Sequence, residues 1–166
     1  MANSMDWIAR QCFPNAQKII DRFHVEKLLS EAVQDIRIIH RWDAIDEENE
    51  LRQQKNYVPY RYSNGDTKKQ LLARSRYALF KTQSKWSDEQ KARMDIVFKE
   101  YPDIQTAYEL AMQLKYIYHT SSSQKQAQDR LKIWYTKVQS SNLKPMISAA
   151  KTVKSYEGTI LNYFPH

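Results

Sequence analysis

Apolar residues along this chain recur at intervals of three and four, and seldom alternate in the manner of a half-buried strand. The longest series, Val25, Leu28, Leu29, Ala32, Val33, Ile36 and Ile39, predicts a helix with one buried stripe over about four turns. That helix is expected to continue through "WDAIDEENELRQQK", where charge dominates, so its far end should protrude into solvent. Upstream, residues 2–11 predict a short helix, Pro14-Asn15 a turn, and Ile19-Ile20 a brief strand. No other segment offers that strand a partner. Cut off from a sheet, Gln17 to Asp21 should lie as irregular chain or pair with another copy.

Downstream of the long helix, Pro59 and Asn64-Gly65 break the periodicity of "NYVPYRYSNG" into a loop carrying three tyrosines. A second helix is expected from Asp66 or Thr67, with Leu71, Leu72, Ser75, Ala78 and Leu79 inward. Ser87 followed by Gln90 has capping-box spacing and predicts a third helix burying Met94, Val97, Phe98 and Tyr101. Trp86, just before that cap, is placed to act as a hydrophobic staple. Pro102 can open a fourth helix with Ile104, Ala107, Tyr108 and Ala111 inward, closed by "HTSSS". A fifth starts near Gln124 and buries Leu131, Trp134, Tyr135 and Val138. Asn142 is placed to cap a sixth with Ile147, Ala150 and Val153.

Composition narrows the fold class. Two glycines and five prolines in 166 residues leave little turn chemistry for a multi-stranded β protein, so a mainly-α bundle of about six to seven helices is expected. The longest apolar run, Tyr77 to Phe80, is far shorter than the roughly 20 residues that cross a bilayer. The start, "MANSMDWIARQCF", does not read as a signal peptide, and a cytoplasmic location with no membrane partner is expected. Cys12 is the sole cysteine, which rules out an internal disulfide or a cysteine-based zinc site and suggests a buried structural thiol.

The net charge of +7 is uneven. Residues 1–50 hold six basic and ten acidic side chains, whereas residues 51–87 hold nine basic and one acidic. A basic block of that density suits a polyanion, and nucleic acid is the usual one. Lys68, Lys69, Arg74, Arg76, Lys81 and Lys85 are the candidate DNA-binding residues, interleaved with Tyr77, Phe80 and Trp86, which could stack on exposed bases. Positions 74, 81 and 85 share a helical side only if the second helix reaches residue 85. The plainer alternative is a solvated helix face. Trp134 and Tyr135 lie on an inner stripe and read as core.

Four stretches, "FPNAQKIIDRFHVEKLLSEAV" (13–33), "RYALFKTQSKWSDEQ" (76–90), "YPDIQTAYEL" (101–110) and "AAKTVKSYEGTILNYF" (149–164), together resemble the middle of an ISL-type bacterial insertion-sequence transposase of the DDE class. In that family an RNase H-like core holds divalent metal, Mg, on two Asp and one Glu, and a helical region is inserted between the second Asp and the Glu. The resemblance implies that the second Asp stands just before the residues at Met1, and the Glu a few residues after "NYFPH". No catalytic or metal-binding residue is therefore assigned in this chain, and no cofactor is expected in it. The expected organisation is residues 1–55 as core flank plus long helix, 56–155 as helical insertion, and 156–166 as lead-in to the Glu helix, with at most one short strand left from the core.

Asp21 and His24 match the family's signature of Asp or Cys, two residues, then His, which implies a supporting role beside the active site. From the residues alone, Asp21 reads as the N-cap of the long helix with His24 in its first turn. The two readings are compatible. The function expected is that of a non-catalytic helical part of a DDE transposase, contacting transposon DNA or a second subunit in a homo-oligomer. An autonomous helical nucleic-acid-binding or transposition-regulating protein is one rival, and a helical protein-interaction domain is another.

Overall fold

Helix α1, Arg22–Leu51, is the axis about which the other elements pack. In the computed structural model, which describes residues 7–8, 11–13 and 19–165, six further helices follow it. They are α2 (Lys68–Arg74), α3 (Asp88–Glu100), α4 (Pro102–Thr120), α5 (Gln124–Ser140), α6 (Lys144–Ser155) and α7 (Glu157–Leu161). Two 3-10 turns, Ala78–Phe80 and Gln83–Lys85, link α2 to α3. Helices α2, α4 and α6 lie against α1, while α3 and α5 pack on α4. One hydrophobic core runs from Ile20 to Phe164. The mainly-α bundle expected from the sequence is the fold observed, with no strand among the described residues.

The helix starts follow local chemistry. Asp21 has extended backbone and its carboxylate accepts from Phe23 N at 3.1 Å, so it caps α1. Ser87 and Gln90 form the reciprocal capping box at α3, Ser87 N donating to Gln90 Oε1 and Gln90 N to Ser87 Oγ. Pro102 takes the first position of α4, where its missing N–H costs nothing. Ser123 caps α5 through its hydroxyl. Asn142 does not cap α6. With φ of 57° it adopts the left-handed conformation just past α5, and Leu143 takes the N-cap position of α6. Gly65, with φ of 80°, closes the tight turn in which its N–H donates to Tyr62 O.

The stripe on α1 departs from its expected line. Val25, Leu29, Ala32, Val33 and Ile36 are buried, but Leu28 is half-buried and Ile39 is 56% exposed. Steps of four residues overshoot a 3.6-residue turn, so the buried line precesses around the helix through Arg37, Ala44 and Glu48. The far end is consequently covered on one face, not protruding: Lys68 and Tyr57 line a recess with Ala44 and Glu48. Trp42, on the other side, is 57% exposed.

At the N-terminal end, Trp7, Ile8, Gln11 and Cys12 are helical, and the rest of the helix expected over 2–11 lies outside the described residues, as does the Pro14-Asn15 turn. Ile19 and Ile20 are irregular chain, with Ile20 buried and Ile19 exposed; Gln17 and Lys18 fall outside the described residues. Cys12 is exposed, contrary to the buried thiol expected. Trp86 is no staple either, because the fourth residue of α3 is Lys91. Its indole instead enters the core beside Tyr108 and Phe98, at centroid distances of 5.5 and 6.1 Å.

Helix α4 runs antiparallel to α1, with Asp103 beside His40 at 2.5 Å and Lys115 beside Glu26 at 3.3 Å. Leu114, fully buried in α4, should therefore cost about 3 kcal/mol on change to Ala, from lost transfer energy plus a residual cavity. Ile39→Ala, on a position that periodicity alone places inward, should cost less than about 0.5 kcal/mol. Urea unfolding of the two variants measures both; equal losses would contradict the precessing stripe.

Candidate nucleic-acid interface

The basic block is not one helix. Its first helix, α2, stops at Arg74, and the cause lies on α1. Arg37 is 5% exposed and donates from Nη1 to Leu72 O at 2.9 Å. Gln34, itself buried, holds the Arg37 Nε on its side-chain oxygen at 2.7 Å and donates its amide to Arg76 O at 3.2 Å. Ser75 Oγ also donates to Leu72 O. Carbonyls that a continuing helix would bond internally are thus met by side chains, and the chain turns away. Arg74, Lys81 and Lys85 consequently do not share a helical side.

The six candidate cations divide into two groups. Lys68 pairs with Glu47 at 2.5 Å and Lys69 with Glu48 at 2.9 Å, laying α2 along the acidic end of α1. Hydrogen bonds and the charge of Lys69 lead the causes that hold the Glu48 carboxyl below its ordinary range, against the opposing effect of burial. Arg74 pairs with Asp66, which is 1% exposed and is also held by Arg93 Nε of α3 at 2.8 Å. Burial pushes the Asp66 carboxyl up, but the hydrogen bonds and charges of the two arginines outweigh it and leave it below its ordinary range. By contrast, Arg76, Lys81 and Lys85 make no ion pair with a carboxylate among the described residues. Arg76 lies over the Tyr77 ring at 5.6 Å, and Lys81 touches only the side-chain oxygen of Gln90, at 3.4 Å.

Buried aromatics fix the segment that carries Lys81 and Lys85. The Tyr108 hydroxyl donates to Lys81 O at 2.9 Å, and Trp86 Nε1 donates to Ala78 O at 2.8 Å. Burial pushes the Tyr108 phenol up to about 12, so it stays a donor across the physiological range. Between this segment and α4 lies an open groove of about 810 Å³, lined in part by Phe80, Lys81, Lys85, Lys115, Tyr116 and His119. Lys115 is matched by Glu26, and Arg22 donates to His119 Nδ1 at 3.2 Å.

Asp21 and His24 are both exposed at the start of α1, where His24 N donates to Asp21 O. No group of three His, Cys, Asp or Glu among the described residues is arranged to hold a metal ion. No catalytic step is assigned to them. Two cations escaped the sequence reading. Arg37 and Arg41 stand within a segment that reads as buried stripe and acidic helix, and only the tertiary packing of α2 brings Arg76 against the turn of α1 that carries Arg37. Their spacing of four residues was the available signal.

A family model described as a transposase, of the ISL3 type of the DDE class, matches residues 1–166. The chain belongs to that transposase family. Neither the curated proteins nor the solved structures contain a match. No helix among the described residues of this transposase-family chain is long and apolar enough to cross a membrane.

The Asp66 pairing gives a pH prediction. Because its folded pKa is depressed, its contribution is fully present above the unfolded carboxylate value of about 4 and is lost as pH falls through the folded value. Asp66→Asn should lower stability at pH 7, by about 3 kcal/mol for a broken buried pair, and should flatten the stability profile on the acid side. Urea midpoints at pH 7 and at about pH 3 measure this. A wild-type excess that persists undiminished at the lower pH would refute the assignment.

Proposed function

We propose that this chain is the non-catalytic helical part of a DDE transposase, and that it holds transposon DNA by the sugar-phosphate backbone. The observation that carries the reading is the division within the basic block. Lys68, Lys69 and Arg74 are matched internally, whereas Arg76, Lys81 and Lys85 stand on a segment fixed by Trp86 and Tyr108 with no carboxylate among the described residues to neutralise them. Phosphate contacts of this kind give affinity without sequence reading. Tyr77, 66% exposed, and Phe80, 39% exposed, offer ring faces to bases at an opened end. In this reading residues 1–55 flank the catalytic core, 56–155 form the insertion, and 156–166 lead to the Glu helix; the metal stays with the core.

A supporting role for Asp21 and His24 at the active-site wall belongs to the same reading. Ile19 and Phe23, 55% and 65% exposed, flank Asp21, and apolar side chains left open around polar ones suit a face that meets further polypeptide.

Fluorescence anisotropy with a labelled duplex in low salt tests the DNA contact. Binding in the range of about 10 µM that weakens steeply with salt is expected. Lys81→Ala with Lys85→Ala should weaken it about tenfold, and Lys68→Ala with Lys69→Ala by less than about threefold. Absence of saturable binding, or the reverse order of the two double variants, would refute the proposal; self-association lost in place of DNA binding would favour the protein-interaction rival.

A further inference from the structure

Three arginines converge where α1 meets the chain leaving α2. Arg37 and Arg41 are one turn apart on α1, which sets their Cβ atoms about 5–6 Å from each other. The bond from Gln34 to Arg76 O, with that from Arg37 to Leu72 O, brings residue 76 against the same turn of α1. Like charges held together repel, and a folded chain ordinarily places a carboxylate between them. Here Lys68, Lys69, Arg74, Arg93 and Lys115 each have one, while Arg37, Arg41 and Arg76 have none among the described residues. Carbonyl oxygens of Leu72 and Arg76 offer only partial negative charge.

The donors are also incompletely used. Arg41 Nε is buried with no hydrogen-bond partner. Arg37 spends Nε on Gln34 and Nη1 on Leu72 O, which locks the guanidinium plane and leaves Nη2 without a hydrogen-bond partner among the described residues. Arg76 is steadied over Tyr77 at 5.6 Å. Burial, and then the charges of Arg41 and Arg76, push the Arg37 guanidinium below its ordinary value. An oxyanion with several acceptor oxygens answers each of these features. Guanidinium groups meet phosphate through paired N–H donors, and a planar fork held in advance loses little freedom on binding.

We propose that Arg37, Arg41 and Arg76 form a site for one phosphate group. Its source is a backbone phosphate of bound DNA, in which case the site rests on the DNA-contact reading, or free inorganic phosphate. Arg37 is the fixed part of the site, tied to the end of α2. Arg41 supplies the unmet donor. Arg76 closes the site from the α2 side.

Arg41→Gln is the test variant, because Arg41 makes no hydrogen bond or ion pair among the described residues and its removal relieves repulsion. Thermal unfolding of the full chain is followed in phosphate and in chloride at equal ionic strength. Wild type should gain thermal stability with phosphate concentration in a saturable way, as a ligand of the folded state requires. Arg41→Gln should unfold no earlier than wild type in chloride and should lose most of the phosphate response, as should Arg76→Gln. A phosphate response in both variants equal to that of wild type overturns the site.

Duplex anisotropy across a salt series separates the sources. If DNA supplies the phosphate, Arg41→Gln weakens binding and reduces the slope of log affinity against log salt by about one. A phosphate response that depends on Arg41, with DNA affinity unaltered by the substitution, assigns the site to free phosphate. DNA binding by wild type with slope and phosphate response both unchanged in Arg41→Gln overturns the site and leaves the DNA-contact reading standing. No DNA binding at all, with an Arg41-dependent phosphate response, does the opposite.

Discussion

A buried guanidinium carries a desolvation cost that only good hydrogen-bond geometry offsets, and Arg37 meets that condition with the peptide carbonyl of Leu72 and the amide oxygen of Gln34. The pairing has a structural consequence beyond its own energy. It terminates α2, and so converts what could have been one basic helix into a short helix, two 3-10 turns and the fixed loop before α3. Which cations face inward and which outward is settled by that termination. Had α2 continued, Arg74, Lys81 and Lys85 would have formed one rod-like face; with α2 stopped, Arg74 turns to Asp66 and the two lysines line the groove beside α4.

Helix α1 makes this possible because its two halves are of different chemistry. From Val25 to Ile36 its buried positions are chiefly apolar and support α4 and α6 by area removed from water. From Arg37 to Glu48 the buried positions are Arg37, Ala44 and Glu48, and contact with α2 is made by directed polar groups. The first kind of contact tolerates sliding, whereas the second fixes register, since a shift by one residue would separate Lys69 from Glu48 and Arg37 from Leu72 O together.

Much of the helical order was legible because its signals are local. Ser87 with Gln90, Pro102 and Asp21 act within a few residues of their own position, and the structure has each where spacing indicates. The inner positions of α2 through Leu79 were legible too, as all five are buried even though the helix ends among them. What failed depends on other elements. Ile39 fits the period of α1 but not the direction from which partners arrive. Asn142 suits a cap and a left-handed residue equally, and the preceding helix claims it. Trp86 has the position of a staple but no apolar partner at Lys91, so the core takes it. At the candidate interface, residue type and density identified the basic block, yet no periodicity could reveal that Arg37 and Arg41 join Arg76, because a contact between residue 34 and residue 76 has no local trace.

The uneven charge of the chain therefore has two components that a block count merges. Acidic side chains near the end of α1 and basic ones at the start of α2 are complementary within the molecule, and Lys68 with Glu47 and Lys69 with Glu48 are its outcome. Of these pairs, the exposed Lys68–Glu47 adds little stability by itself, while Lys69–Glu48 has its carboxylate buried. Their effect is to cancel the field of the first part of the basic block at short range, within a Debye length of about 10 Å. Of the six candidate cations, Arg76, Lys81 and Lys85 have no carboxylate partner among the described residues, and neither do Arg37 and Arg41 on α1. In the proposed reading, the arrangement of these cations matters to an approaching polyanion beyond the total of +7, since matched pairs present a dipole to a distant charge while unmatched cations present a net one.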